Sequence, residues 1–448
     1  MNEEVVEIER HPFEGAPHRT LLALSTPVLF SLIAEPLTAL TDTAFVSRLG
    51  ATSLASLGVG ATLLSSFFWV FNFLGIGVQT SVAQAMGKKA PEEAARVSTL
   101  GFLVATIAGV GLVLLGFLAT PSIVSFMGAR GELARQASSY MYFRWLGAPA
   151  VLGLVTAFGV LRGRMDMRTP LWIALGINIL NVILDALLIF GLGPIPALGI
   201  KGAALASSIS QWVGAVWAFR LVVGRVGFQR DLRLGEALGL LRIGGDLFVR
   251  TGLLNLFLIL ATRTATLAGA EAGAAHQAIR QFWVFTALLL DAFAVTSQSL
   301  VGFFVGQGLL GQARRAAGVT LVWSIAIGGL IGAGMFAGQA IVVALLVPAT
   351  SVVFFVPAWW VSAVSQPLNA VAFATDGIHW GTGDFRFLRN AVLFVSAISF
   401  LGLSQIDSSQ TAALIWVWIV TTIWVGTRGI LGVLRIWPGI GKAPLDAR

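Results

Sequence analysis

Twelve apolar runs of membrane-spanning length follow one another along the chain, near 20–48, 53–86, 96–120, 133–160, 170–192, 200–221, 238–267, 272–305, 315–345, 350–378, 387–405 and 410–434. Inside hydrocarbon every backbone N–H and C=O must be satisfied within its own segment, so runs of this length and number leave a bundle of transmembrane helices as the fold. Only 11% of the 448 residues are charged, and most of those lie in the short connections. The formal charge of +8 therefore reports topology rather than a nucleic-acid surface. The absence of cysteine removes disulfides, thiolate nucleophiles and thiolate-bound metals from consideration. The N-terminal MNEEVVEIERHPFEGAPHRT is polar and has no short apolar core, which argues against a cleaved signal peptide.

Lys and Arg orient the bundle. Lys88, Lys89, Arg162, Arg164, Arg168, Arg225, Arg230, Arg314, Arg315, Arg386 and Arg435 lie in or beside even-numbered connections or tails, against only Arg48, Arg130, Arg135 and Lys201 in odd-numbered ones. The expected topology places both termini in the cytoplasm, in a protein crossing the plasma (inner) membrane many times. The basic connection after the sixth run divides the chain into a cytoplasmic tail 1–19, a first lobe 20–221, a linker 222–237, a second lobe 238–435 and a cytoplasmic tail 436–448. The halves repeat. At an offset of 219, Thr43, Gly50, Gln79, Gly87 and Arg96 recur as Thr262, Gly269, Gln298, Gly306 and Arg315; at 218, Gly159, Gly163, Asp166 and Arg168 recur as Gly377, Gly381, Asp384 and Arg386. Each unit has an even number of spans, so the copies are parallel repeats about an axis along the membrane normal, with substrate expected between them. The expected fold is thus an all-α integral membrane protein of twelve transmembrane helices in two pseudo-symmetric six-helix lobes around a central cleft.

Several ionisable residues interrupt the apolar runs, and each costs at least about 2.5–3.5 kcal/mol at mid-membrane unless it faces a partner or water. Glu35 and Asp42 lie seven apart in the first run, nearly on one face, with Pro36 between them as a place to bend. Asn178, Asn181 and Asp185 share a face of the fifth run. Asp42 lies eight residues before Gly50, Asp185 eight before Gly193, and Ser207 seven after Ile200, so all three sit roughly 10–12 Å in from the outer boundary at ~1.5 Å per residue. One shared cluster is the expectation; separate satisfaction of each acid by backbone or water is the alternative. Paired carboxyls away from bulk water suit proton binding, while two carboxylates, an amide carbonyl and a hydroxyl also suit a hard cation such as sodium. The sequence leaves both open.

Glu35, Asn178, Asn72 and Gln79 are candidates for the substrate cavity, although for Asn72 and Gln79 helix–helix hydrogen bonds are the favoured reading. Tyr140 reads as an interfacial aromatic, Arg144 as half of a structural ion pair, and Arg250 with Asp291 as a polar pair of the second lobe. His276 and His379 have no metal-ligand spacing. No GxxxxGK[ST] loop or HExxH motif is present, and the four histidines do not assemble with a nucleophile near one interface. An ATP-driven pump and a lipid-modifying enzyme are thereby disfavoured, and no enzyme activity, metal or cofactor is expected.

The stretches EPLTALTDTAFVSRLG (35–50), YMYFRWLGAPA (140–150), RGRMDMRTP (162–170), NVILDALLIFGLG (181–193), KGAALAS (201–207), GAAHQ (273–277), LDAFAVTSQSLVG (290–302) and DGIHWGTGDFR (376–386), taken in order, resemble the multidrug and toxic compound extrusion (MATE) transporters, and among them the DinF-like branch. The resemblance implies export of cationic or amphipathic organic compounds in exchange for protons or sodium. It places the coupling site in the first lobe at Asp42, Asn181, Asp185 and Ser207, with Tyr140 nearby. Ser207 stands where a Thr is common and keeps the hydroxyl; Met167 replaces a frequent Thr. A lipid-linked precursor flippase of the wider superfamily is the other transport reading, but it calls for several cations in the first lobe where Arg144 stands alone. The expected partners are a small organic substrate, protons or sodium, and the lipid bilayer, with the chain acting as a monomer.

Overall fold

The computed structural model describes residues 11–191, 194–232 and 234–446. Residues 1–10 and 447–448 of the expected tails, and Gly193, used above as a depth marker, lie outside the described residues. The helices are α1 (Pro12–Gly15), α2 (Pro17–Ser47), α3 (Ala51–Val70), α4 (Asn72–Gly87), α5 (Pro91–Phe126), α6 (Gly131–Trp145), α7 (Ala148–Gly163), α8 (Arg168–Phe190) and α9 (Ile200–Val226) in the first half. The second half has α10 (Leu234–Leu267), α11 (Ala270–Gly306), α12 (Leu310–Leu346), α13 (Val352–Val364), α14 (Gln366–Thr382), α15 (Phe385–Ser404) and α16 (Ala413–Ile436). Among the described residues, nine helical segments are long and apolar enough to span, α3 with α4 counting as one, and two bent pairs raise this to eleven. The less apolar α9, 27 residues long or about 40 Å, packs against α7 and α8 as the twelfth.

The continuous fourth and tenth runs of the sequence are each broken. α6 meets α7 at 49° and α13 meets α14 at 46°. Proline supplies the reason, because Pro149 and Pro367, 218 apart, stand in the first turn of the second segment, where a missing N–H is tolerated and the preceding residues leave the helix. Each proline is met by a glycine of the preceding span. A Cβ on Gly109 would lie 2.5 Å from Pro149 Cα, and one on Gly328 would lie 3.1 Å from Pro367 Cα. By contrast α2 runs unbroken through Pro27 and Pro36.

The repeat governs how the lobes meet. Gln79 donates to the Val295 carbonyl at 2.8 Å and to Ser299 Oγ at 2.9 Å; Gln298 donates to the Ile76 carbonyl at 2.7 Å and to Thr80 Oγ1 at 2.9 Å. Adding 219 to Ile76 and Thr80 gives Val295 and Ser299, so the two sets exchange residue for residue about one axis. Thr80 and Ser299 continue the pattern by donating to the carbonyls of Trp380 and Arg162, each at 2.7 Å. Gly87 and Gly306 each press on the other helix's backbone, with no room for a side chain. All these contacts lie in the segments running toward the basic connections. The opposite halves α6 and α13 pack chiefly within their own lobes, and α3 touches the other lobe chiefly at α10. The lobes are therefore closed on the side of Lys88 and Arg386.

Candidate functional site

Short loop geometry sets the depth of the site. α8 ends at Gly191 (φ 76°), the chain turns back so that Leu198 N–H donates to the Leu188 carbonyl at 2.9 Å, and α9 begins after Gly199 (φ 56°). A Cβ on Gly191 would stand 2.7 Å from the Ala197 nitrogen, so glycine is required there for both conformation and space. This hairpin puts Asp185, six residues before Gly191, level with Ser207, eight after Gly199, and α2 packs along α8 to add Asp42.

The four expected coupling residues come together. With the Asn181 amide oriented to satisfy both its atoms, its nitrogen donates to Asp42 Oδ1 at 3.0 Å and its oxygen accepts from the Ser207 N–H at 3.2 Å. Asp42 lies within electrostatic reach of Asp185, and Ser207 stands beside it through the shared contact with Asn181. Ionised carboxylates only accept, so a proton on either carboxyl would let it donate to the other. Asp185 is wholly buried, and among the described residues neither of its oxygens meets a conventional donor.

Tyr140 differs from the interfacial aromatic that its position suggested. It is buried, within electrostatic reach of Asp42, Asp185 and Arg144, because Gly60 of α3 lets its ring in: a Cβ there would lie 2.6 Å from Tyr140 Cδ1. Arg144 likewise forms no ion pair among the described residues; it donates to Gln211 Oε1 at 2.8 Å. Glu35 is exposed on α2 and within electrostatic reach of Arg144. Asn72 is exposed at the α3–α4 break. Asn178 is tied up, donating to the Ala34 carbonyl of α2 at 2.8 Å, two residues before Pro36. Gln79 does not face a cavity: it is buried in the lobe interface, where two backbone and hydroxyl acceptors lie within its reach.

The second-lobe pair is also different. Arg250 pairs with Asp376 of α14, not with Asp291, and Arg428 of α16 approaches the same carboxylate at 3.5 Å. Distance from the helix ends suggested Asp291, but depth says nothing about which face a neighbouring helix presents. Asp291 forms no ion pair among the described residues; it lies within electrostatic reach of Arg162 across the lobe boundary as well as of Arg250, and Arg162 contacts Ser31 of α2 at 3.4 Å. His276 and His379 are packing residues, bonded to Thr262 Oγ1 at 3.2 Å and near the Gly432 carbonyl at 3.3 Å. Gln211, Arg162, Asp376 and Arg428 were missed as participants. Gln298 was visible as a repeat of Gln79, and a polar residue repeated inside two spans was the available signal for a contact across the symmetry axis.

A sequence model of the MatE family matches residues 27–187. The chain is 30% identical over 447 residues to Protein DETOXIFICATION 44, chloroplastic, of Arabidopsis thaliana, covering 95% of this chain and 84% of that protein. The chain belongs to the MATE transporter family. It is likewise 29% identical to the DNA damage-inducible protein F of Escherichia coli (strain K12), over 95% of this chain and 93% of that one. Among solved structures, a MATE protein in the bent conformation superposes with a TM-score of 0.86 at 22% identity, covering 95% of this chain and 96% of that chain. A MATE protein is a multi-pass membrane transporter and not an enzyme, and the two six-helix lobes seen here are its fold.

Proposed function

We propose that this MATE protein exports cationic or amphipathic organic compounds in exchange for protons, with Asp42 and Asp185 as the proton site and Asn181, Ser207 and Tyr140 as its surroundings. The observation that carries the proposal is the cluster in which Asn181 bridges Asp42 and Ser207 beside a buried Asp185 whose oxygens meet no donor among the described residues, a setting that favours a proton on the pair. The carboxylate of Glu35 supplies negative charge for a cationic group of the substrate. Alternating access follows from rocking of the two lobes about the Gln79–Gln298 seal. In the state described the seal is closed, so the cleft addresses the opposite side, where the carboxyl pair takes its proton and substrate leaves. We place the protein in the cell membrane as a monomer, with both termini and the 222–237 linker in the cytoplasm, as the Lys and Arg distribution implies.

Purified protein in liposomes, loaded with a cationic dye, tests the coupling. An imposed proton gradient should drive export in the parent protein, and Asp42→Asn and Asp185→Asn should each abolish it while remaining folded. Export by Asp185→Asn at the parental rate, or a strict requirement for sodium, would refute the proton reading. The latter result would assign the same oxygens to a metal ion.

A further inference from the structure

The break in the fourth span presents one charged side chain to the carboxyl pair. At the junction of α6 and α7, Ser208 Oγ donates to the Phe143 carbonyl at 2.9 Å and Trp212 Nε1 donates to the Leu146 carbonyl at 2.9 Å. Between them Arg144 donates to Gln211 Oε1. Ser208, Gln211 and Trp212 stand at i, i+3 and i+4 on one face of α9, so a single helix face holds both backbone and guanidinium. Gly147 leaves no slack, because a Cβ there would lie 3.0 Å from Ser208 Oγ and 3.1 Å from Gln211 Oε1. The guanidinium is thus tied to α9 through Gln211.

Its surroundings are acidic. Glu35 and Asp42 of α2, Asp185 of α8 and the phenol of Tyr140 on α6 itself all lie within its electrostatic reach. Of the other helices packed on α6, α3 carries no ionisable residue, α5 carries only Glu92, Glu93 and Arg96 near its first turns, and α9 carries Lys201, Arg220 and Arg225 toward its ends. Arg144 is therefore the one base facing three carboxyls, and it is tethered to Gln211 instead of joined to any of them.

We propose, building on the proton-coupling reading above, that Arg144 is a positioning residue that makes the carboxyl pair selective for protons over sodium. A sodium ion needs several oxygen ligands and a locally uncompensated negative charge. Arg144 denies it the second, since it contributes a resident positive charge. A proton needs only one carboxyl oxygen, and the second carboxyl then accepts from it. The same charge competes with protonation, so it also sets the pH at which the pair loads.

The test is dye export from proteoliposomes across a pH series, with and without a sodium gradient. Arg144→Gln should move half-maximal export by about one pH unit toward alkaline, and should let a sodium gradient drive export that it does not drive in the parent. Arg144→Lys should restore most of the parental profile. Gln211→Leu, which frees the guanidinium to swing onto the carboxylates, should move the profile toward acid. It decides the matter if Arg144→Gln is not recovered as folded protein. An unmoved pH profile in the folded Arg144→Gln protein, or in Gln211→Leu, overturns this role for Arg144. Asp185→Asn, assayed in parallel, separates the two ideas: its failure to export leaves the coupling site standing whatever Arg144 does, and its parental export removes the site itself.

Discussion

Removing either amide of the symmetric seal should open the lobes by a measurable and nearly equal amount. Gln298→Ala deletes two hydrogen bonds to the other lobe, to the Ile76 carbonyl and Thr80 Oγ1, and Gln79→Ala deletes their counterparts to Val295 and Ser299. A neutral hydrogen bond contributes about 0.5–1.5 kcal/mol net, so each change weakens the closed state by about 1–3 kcal/mol. The lower part of that range applies, because nothing is stranded: Ile76 sits inside α4, whose own ladder serves its carbonyl, and Thr80 still donates to Trp380. At ~1.4 kcal/mol per factor of ten, a loss of ~1–2 kcal/mol shifts the closed-to-open ratio about five- to thirty-fold. The chain has no cysteine, so spin labels at Glu92→Cys and Arg386→Cys, both exposed and on different lobes, report the separation without background. Pulsed electron resonance should show a long-distance population rising in both single variants. Unchanged distance distributions in both would refute the idea that these amides hold the seal; a response from only one would refute their equal share.

Two further outcomes follow. His11 packs against Phe303 and Phe304 and lies 3.2 Å from Met165 Sδ, and burial holds its imidazole below the ordinary value near 6.5 despite the attraction of Glu14. Docking of Pro12–Gly15 should therefore be at full strength above about pH 6.5 and weaken as pH falls through the lowered value; hydrogen exchange in that segment that is indifferent to pH between 7.5 and 5 (about that window) would contradict this. Phe228→Cys, in an exposed part of the linker, should be modified by an impermeant thiol reagent only in opened cells, and labelling of intact cells would reverse the proposed orientation.

Local chemistry was enough to read the spans. A run of some twenty apolar residues reads as a helix in hydrocarbon, so the runs gave their own number, the Lys and Arg asymmetry gave the expected orientation, and the basic connection with the repeat gave the division into two lobes. The repeat, carried by Gly50 with Gly269, Gly87 with Gly306 and Asp166 with Asp384, anticipated the axis, because a duplicated unit keeps the residues its packing requires. Asp42, Asn181, Asp185 and Ser207 were also legible, since helical rise converts sequence distance into depth. Rotation about each helix axis was not legible. Depth alone placed Arg250 beside Asp291, whereas the face that α14 turns inward made Asp376 the partner. Sequence favoured a helix–helix hydrogen bond for Gln79, but only the packing of α11 against α4 supplied its partners, and Arg144 looked like half of an ion pair until the broken fourth span turned it toward Gln211. A membrane fixes how deep a side chain lies; only helix-on-helix packing, through glycines too tight for a Cβ and prolines that break a span, decides which neighbour it faces.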